Sequence, residues 1–316
     1  MGEYGIPYMG SKDKIVESLA LNFPKADHFY DLFGGGFSVI HYMLEKCGNR
    51  YKHFHYNEIK SDIVDLVKRA IAGEFNYERF KPKWISREEF FANKDNDAYL
   101  RVCWSFGNDQ KTYMFGPDIE PYKRSMHQAV IFGEFDELAR LTLGFSSWPI
   151  GLSGIKQRRL YLRAKIERYR IEGIPRFLVP YLSEGGKNKL ERLQQLERLE
   201  RLERLQKLER LQKLEQLERL NLYSLDYRKV DIPQNSIVYC DIPYKGTAEY
   251  GNDFNHKDFY DWAATRPFPV YISEYSLDDS RFKLIYSVDK RSMLNSKKHK
   301  TKTMSENLYW NGVDVG

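Results

Sequence analysis

Cysteine is scarce in this sequence of 316 residues, which contains three cysteines and no CxxC pair. Cys47, Cys103 and Cys240 lie far apart along the chain. A disulfide framework or a zinc site built from cysteines needs several thiols at short, regular spacings. The sequence therefore argues against both kinds of site and favours a reducing cytoplasm.

Long apolar runs are also missing. No stretch approaches the roughly 18 apolar residues that a membrane-spanning helix requires. The segment from Met1 to Lys12 has no apolar core of the kind found in secretion signals. Ile6 stands where a myristoylation motif has Ser or Thr. We therefore expect no association with a membrane.

The net charge is modest, because 50 Lys and Arg residues face 44 Asp and Glu residues, which gives +6. Residues 1–75 and 221–280 are net acidic, whereas residues 76–220 and 281–316 are net basic. A polyanionic partner is thus compatible with the sequence but not required by it. Aromatic residues make up 15% of the chain, which is too many for a disordered protein and offers stacking surfaces for bases.

The first 75 residues predict the beginning of an open α/β sheet. Apolar residues with helical spacing precede Pro24, and two apolar strands follow, each succeeded by a further helical pattern. The predicted elements are a helix over 13–24, a strand over 28–31, a helix over 37–46, a strand over 51–56 and a helix over 59–72.

Small and acidic residues follow the two predicted strands. Gly34 and Gly36 come after the first strand, which ends at Asp31, so the backbone there can approach a ligand. Glu58 follows the second strand, where a carboxylate can accept hydrogen bonds from ribose hydroxyls. The pattern predicts a nucleotide-like ligand. It does not identify which one, because the GxGxxG dinucleotide pattern is absent.

Residues 155–172 predict an amphipathic helix in a segment that is otherwise rich in aromatic residues. Ile155 and Leu162 lie on its apolar face, and most of the remaining surface is basic, including Arg158, Arg159 and Arg163. The basic surface is either an ordinary solvated face or a surface that lies against nucleic-acid phosphates.

A low-complexity repeat follows, in which leucine occupies every third position from Leu190 to Leu220. Glutamates followed four residues later by a lysine or an arginine favour an α-helix. Three residues fall short of a full helical turn, so the leucines spiral around the helix and form no coiled-coil seam. The repeat is interpreted either as a spacer or as an arm that binds a protein partner or DNA.

The strongest predicted strand covers residues 236–241 and ends in Asp241-Ile242-Pro243-Tyr244. A carboxylate beside a free carbonyl can accept both hydrogens of an exocyclic amine, and a tyrosine ring can stack on a planar base. A surface turn is the alternative, because Asp and Pro are common in turns. Further predicted elements are a strand over 222–225, a helix over 256–264, and strands over 269–274, 282–288 and 307–310.

Several segments, in this order, resemble the Dam-type DNA adenine N6-methyltransferases, the α-arrangement of the amino-methylating enzymes. Ser105-Phe106-Gly107-Asn108 is similar to the phage-like branch of that family. The segments that carry the main resemblance are Tyr8-Met9-Gly10-Ser11-Lys12, Asp31-Leu32-Phe33-Gly34-Gly35-Gly36-Phe37, Asn57-Glu58, Asp241-Ile242-Pro243-Tyr244, Ser273-Glu274-Tyr275 and Glu306-Asn307-Leu308-Tyr309.

The resemblance implies a Rossmann-like, S-adenosylmethionine-dependent catalytic core over residues 1–75 and 222–316. Residues 76–186 would form an inserted, mainly helical target recognition domain, and residues 187–221 the repeat. It implies that S-adenosylmethionine is bound by Tyr8, Lys12, Asp31, Gly34, Gly36, Glu58 and Asp241.

The resemblance further implies methylation of an adenine that is flipped out of double-stranded DNA. Asp241, Ile242, Pro243 and Tyr244 would form the catalytic turn, and no metal ion is expected to take part. Ile242 departs from the family's proline, but its backbone carbonyl, which the chemistry uses, is retained. Charge alone adds Arg158, Arg159, Arg163, Lys297, Lys298 and Lys300 as candidate DNA-binding residues.

Two other functions compete with this hypothesis: a cytosine N4 or RNA amino-methyltransferase, and a non-catalytic protein that binds DNA or a partner through its leucine repeat. An adenine methyltransferase is expected in the cytoplasm, associated with the nucleoid and encoded by a bacterium or a phage. A restriction endonuclease is compatible with it as a partner.

Overall fold

The computed structural model describes residues 3–76, 79–172, 200–245, 254–291 and 303–316. The chain divides into two compact units, of which the first joins Met1–Lys68 to Lys213–Gly316 and the second is Arg69–Gln212. Within the described ranges, no helix combines the length and the apolar character needed to cross a bilayer.

A seven-stranded sheet forms the centre of the first unit. Its strand order is β3-β2-β1-β4-β5-β7-β6, with β1 to β5 parallel and β7 antiparallel to both neighbours. The strands are β1 (His28–Asp31), β2 (His53–Asn57), β3 (Leu220–Tyr223), β4 (Ser236–Asp241), β5 (Val270–Glu274), β6 (Lys283–Arg291) and β7 (Thr303–Trp310).

The strand order places a topological switch point between β1 and β4. From β1 the chain adds β2 and β3 on one side, and it later adds β4 and β5 on the other. Ligands of open α/β sheets bind at such a point, beyond the carboxyl ends of the strands. The predicted α/β sheet is thus present, and its form is consistent with the fold of S-adenosylmethionine-dependent methyltransferases.

Helices accompany the sheet and make up most of the regular structure described in the second unit. In chain order they are α1 (Val16–Ala20), α2 (Ser38–Cys47), α3 (Ser61–Ile71), α4 (Arg87–Asn93), α5 (Ala98–Cys103), α6 (Glu120–His127), α7 (Glu137–Leu143), α8 (Ile155–Glu172), α9 (Glu200–Leu211) and α10 (His256–Ala264). Short 3₁₀-helical turns occur at Phe106–Asn108, Leu217–Arg219 and Tyr227–Lys229, and a π-helical turn occurs at Gln128–Phe132.

Two predicted helices begin later than the sequence suggested. The helix predicted over 13–24 is regular only in α1, because residues 13–15 form a turn and no side chain caps the helix at Ile15. Phe37 precedes α2 in the left-handed region, with φ of 63°. Its ring is fully buried, so packing holds Phe37 in that conformation.

The core of the first unit lies on both faces of the parallel strands. Every residue of β5 is buried, as are the first five of β4. On one face Val238, Cys240 and Ile272 pack against Phe259 of α10. Burial on both faces explains why these strands are almost continuously apolar and were readable from the sequence.

The second unit buries part of the leucine repeat in its core. Leu202, Leu205, Leu208 and Leu211 of α9 are each at most 1% exposed. Arg204 of the same helix is also buried and donates to the carbonyl oxygens of Val102 at 3.0 Å and Ser105 at 2.6 Å. Within the repeat, residues 200–211 thus form a helix that is a packed core element.

The repeat leaves the helical conformation before its last leucines. Helix α9 ends at Leu211, and Gln216 has a left-handed φ of 61°. Leu220 is the first residue of β3 and pairs with Phe54 of β2. The strand predicted over 222–225 therefore begins two residues earlier, within the repeat, because pairing with β2 outweighs the local helical pattern.

Imidazole and phenol rings cover one face of the sheet at β1, β2 and β3. His28 Nδ1 lies 3.0 Å from His55 Nε2, and His55 Nδ1 lies 3.1 Å from the Tyr223 hydroxyl. The rings of Tyr30 and His55 stack at a centroid distance of 3.9 Å. Burial lowers the pKa of His55 to about 3 and also lowers that of His28.

This burial predicts a loss of stability at acid pH. The unfolded chain takes up a proton at His55 near pH 6.5, whereas the folded chain does so only near pH 3. Between about pH 7 and pH 5, the free energy of unfolding should fall by about 2 kcal/mol more for wild type than for H55Q. Urea unfolding at a series of pH values measures this difference.

N221Q is the matched control, because Asn221 is exposed on the neighbouring strand β3 and carries no titratable group. It should follow the wild-type pH dependence. Equal losses of stability for wild type and H55Q would contradict the assignment.

Candidate active site

The glycine turn after β1 is shaped by close packing. A Cβ atom on Gly34 would lie 2.2 Å from the ring of Tyr56, and one on Gly36 would lie 2.5 Å from Cβ of Tyr8. The backbone N–H of Gly34 donates to the carbonyl of Asn57 at 2.9 Å. Side chains are thus excluded at Gly34 and Gly36, which are buried, whereas Gly35 between them is partly exposed.

The N-terminal segment lies over this turn. Ile6 donates its N–H to the carbonyl of Gly36 at 2.8 Å. The carboxylate of Asp13 accepts the N–H groups of Glu3 at 2.7 Å and Tyr4 at 2.9 Å, which closes the segment into a loop. This loop holds Tyr8 against the glycines and carries Lys12 toward β4.

Glu58, at the end of β2, is joined to the glycine turn. Its carboxylate accepts the N–H of Gly35 at 3.0 Å and the N–H of Lys60 at 3.1 Å. Glu58 is buried, and this burial raises its pKa. The acid predicted at the strand end is therefore fixed beside the turn.

Asp31, the last residue of β1, is a further buried carboxyl group at this edge. It is 1% exposed, and neither carboxyl oxygen has a hydrogen-bond partner among the residues that the structure describes. Burial raises its pKa well above the ordinary value, and the neighbouring carboxyls of Asp241 and Glu58 add to the rise. A buried carboxyl in this state has an unmet demand for a donor or a cation.

Lys12 meets Asp241 at the switch point. Its Nζ lies 2.6 Å from Oδ2 of Asp241 and 3.3 Å from Oε1 of Glu306 on β7. The Lys12 and Glu306 side chains are almost fully buried, whereas the Asp241 side chain is 21% exposed. A carboxylate at the end of β4 thus retains access from outside.

Tyr244 completes this group. Its hydroxyl donates to Oε1 of Glu306, and Lys12 Nζ lies 5.0 Å from the centre of its ring. The ring also meets Tyr275 edge to face at 4.4 Å. The tyrosine of the predicted catalytic turn is therefore fixed beside Asp241.

The opposite charges of Lys12, Asp241 and Glu306 stabilise one another. Burial alone would lower the pKa of Lys12, but the carboxylates of Asp241 and Glu306 raise it above its ordinary value. Burial raises the pKa of Asp241, and the ammonium of Lys12 opposes that rise. Lys12 thus favours an ionised Asp241, the form that accepts hydrogen bonds most strongly.

The middle of the turn is anchored to the core. The side chain of Ile242 is 2% exposed and belongs to the apolar cluster beneath α10. The carbonyl of Pro243 lies 2.7 Å from Nε2 of His256, the first residue of α10. An apolar residue at position 242 therefore suits the packing, and the turn is held at both Ile242 and Pro243.

All the residues predicted for the cofactor and the catalytic turn lie at the carboxyl edge of the sheet. The predicted DNA-binding residues are placed differently. Arg158 on α8 donates to the carbonyls of Leu152 at 3.0 Å and Val130 at 3.1 Å, whereas Arg159 is half-buried and Arg163 is exposed. The lysines predicted in the C-terminal loop, which lie outside the described residues, are Lys297, Lys298 and Lys300.

Two members of the site were not among the predicted site residues. Glu306 and Tyr275 were quoted only as parts of family-like strand motifs. Glu306 reaches Lys12 because β7 runs antiparallel to β5, with Asn307 opposite Glu274. A glutamate directly before the strand predicted over 307–310 was the available signal, but its partner depends on strand pairing that the sequence does not state.

Residues 8–126 match the family model of the D12 class N6 adenine-specific DNA methyltransferases. The matched segment contains Tyr8, Lys12, the glycine turn and Glu58. Asp241 lies outside it, so the geometry of the catalytic turn is an independent observation.

The glycine turn gives a prediction about stability. In G34A the added methyl group would meet the buried ring of Tyr56, whose hydroxyl is fixed to the carbonyl of Gly35 at 2.8 Å. We expect the free energy of unfolding to fall by about 1–3 kcal/mol. G116A is the control, because a Cβ atom there meets nothing within 4 Å. Similar urea midpoints for the two variants would refute the packing argument.

Proposed function

We propose that this protein transfers a methyl group from S-adenosylmethionine to a flipped-out adenine of double-stranded DNA. The family match indicates that it is an adenine-specific DNA methyltransferase. The observation that carries the proposal is the contact of Lys12 with Asp241, two residues 229 positions apart in the sequence. Their contact joins the family-matched segment to the catalytic turn. The Dam-type arrangement, with a target recognition insert over residues 76–186, is part of the same proposal.

The residues at the carboxyl edge fit S-adenosylmethionine. Gly35, the partly exposed residue of the glycine turn, would face the ligand, and Glu58 beside it suits ribose hydroxyls. The buried carboxyl of Asp31 lacks a partner within the described part of the chain and suits an ammonium group. When bound, S-adenosylmethionine supplies a methyl group on a positively charged sulfur, which suits an edge rich in carboxylates.

Asp241 and Ile242 would receive the target amine. The ionised carboxylate of Asp241 accepts one N–H of the adenine amino group, and the backbone carbonyl of Ile242 accepts the other. These two acceptors direct the nitrogen lone pair out of conjugation with the ring. The rate then depends on position and electrostatics, without a covalent intermediate on the protein.

Tyr244 would provide the stacking surface for the flipped base. Its hydroxyl is held by Glu306 and its ring contacts Tyr275, so the ring keeps a fixed orientation. Burial raises the pKa of the Tyr244 phenol far above its ordinary value, and Asp241 and Glu306 add to the rise, so the phenol stays protonated as a donor. A ring that is already fixed lowers the entropic cost of binding the base.

Helix α8 would contact DNA through its exposed basic residues. Lys156, Arg163 and Arg168 are exposed on it. Arg163 is exposed whereas Arg158 is partly buried, so the exposure of its side chain makes Arg163 the better candidate of the two for a phosphate contact. Phosphate contacts would hold the duplex without reading its sequence.

Replacement of the catalytic carboxylate tests the proposal. D241N keeps the shape of the side chain but removes the charged acceptor that faces Lys12, so methyl transfer to DNA should fall by at least about 10²-fold. Incorporation of labelled methyl groups, followed by hydrolysis and identification of N6-methyl-2′-deoxyadenosine, measures the effect. D278N, at an exposed aspartate of the same unit, should retain activity. Near-normal transfer by D241N would refute the mechanism.

The salt dependence of DNA binding tests α8. R163Q should reduce the slope of log affinity against log salt by about one unit, because one phosphate contact is lost. K68Q, at an exposed lysine that pairs with Asp65 on α3, should leave the slope unchanged. An unchanged slope in R163Q would exclude Arg163 from the DNA interface.

A further inference from the structure

Glu274 is a buried carboxyl group that the proposed methyl transfer does not use. It is the last residue of β5 and is 1% exposed. One carboxyl oxygen accepts the N–H of Tyr275 at 2.8 Å, and the other accepts the N–H of Lys245 at 3.2 Å. A single side chain therefore joins the segment after β4 to the segment after β5.

The two residues that Glu274 holds flank the stacking ring. Lys245 directly follows Tyr244, and the ring of Tyr275 meets that of Tyr244 edge to face at 4.4 Å. Both contacts of Glu274 thus act on the backbone that carries this pair of rings. Their relative position depends on whether both N–H groups keep their acceptor.

The surroundings of Glu274 are mainly acidic or neutral. The titratable and charged groups that face it are Asp241 on β4, Lys245 after it, Tyr260 on α10, Tyr275 beside it and Glu306 on β7, with Lys12 between Asp241 and Glu306. Burial raises the pKa of Glu274 to about 7, and the carboxylates of Asp241 and Glu306 add to the rise. Protonation converts one acceptor oxygen into a hydroxyl group, which weakens one of the two backbone contacts.

We propose that Glu274 is a positioning residue, whose ionised carboxylate holds Tyr244 and Tyr275 in the arrangement that receives the target base. This inference rests on the proposed function. It extends that function by making base placement dependent on the protonation state of a residue that touches neither reactant.

The sign of the pH dependence follows. As the pH falls through about 7, Glu274 takes up a proton and its hold on Lys245 weakens. The kcat of wild type should therefore decrease toward acid pH and level off about tenfold lower, near the value expected for E274Q. In E274Q one amide oxygen remains as an acceptor and cannot titrate, so the acid decrease near pH 7 should be absent.

The test compares the full-length wild type, E274Q and E218Q. At about pH 8, E274Q should have a kcat about tenfold below wild type, with S-adenosylmethionine binding by calorimetry unchanged. E218Q, at an exposed glutamate of the same unit, should keep both the kcat and the acid decrease of wild type. If E274Q keeps the wild-type kcat and acid decrease, the inference is overturned.

Failure of the proposed function gives a different result. In that case wild type would form no N6-methyladenine at any pH, whereas failure of the Glu274 inference leaves an active enzyme with an unaltered profile. If E274Q does not fold, 2-aminopurine fluorescence in a DNA substrate of the wild type reports base placement. A signal that changes with a midpoint near pH 7 supports the inference, and a constant signal over the range in which kcat falls refutes it.

Discussion

The ion pair between Lys12 and Asp241 is the contact on which the candidate site depends. It brings an N-terminal loop and the end of β4 together at the switch point of the sheet, with 2.6 Å between the charged atoms. A buried ion pair is favourable only when further polar contacts offset the loss of hydration. Glu306 supplies a second carboxylate for Lys12 and accepts the hydroxyl of Tyr244. The pair thus sets the positions of both the Asp241 carboxylate and the Tyr244 ring.

Carboxyl groups outnumber cations at this edge of the sheet. Lys12 pairs with two carboxyl groups there, those of Asp241 and Glu306. The other carboxyl groups at this edge are those of Asp31, Glu58 and Glu274. Burial raises the pKa of Asp31 and Glu274, so the protein stores an unfavourable charge environment there. A positively charged ligand relieves that environment and stabilises the folded chain by mass action. This excess of carboxyl groups supports the proposed binding of a positively charged sulfonium cofactor.

The leucine repeat shows how the same local pattern takes different structures. Leu202 to Leu211 lie in a buried helix of the second unit, whereas Leu220 begins β3 in the first unit. The spacing of three residues spreads leucines around the helix, so the helix must be enclosed on several sides to bury them. Pairing with β2 gives Leu220 a different environment. The described portion of the repeat is thus part of the packed structure. A spacer or a free arm would not need its leucines to be buried in this way.

The sequence by itself determined the elements whose apolar pattern is local and strong, namely β4, α8 and α10, together with the glycine turn, Glu58 and the turn from Asp241 to Tyr244. These features depend on the residues of one segment, so they could be read without knowing their neighbours. Only the tertiary structure decided that Glu306 reaches Lys12, that Glu274 joins two loops, and that Arg158 donates to carbonyls. The contacts of Glu306 with Lys12, of Glu274 with Lys245 and of Arg158 with Val130 join residues distant in the chain, through strand register or helix packing. Local patterns do not encode such pairing, because the same side chain has many alternative partners until the sheet and the helices have assembled.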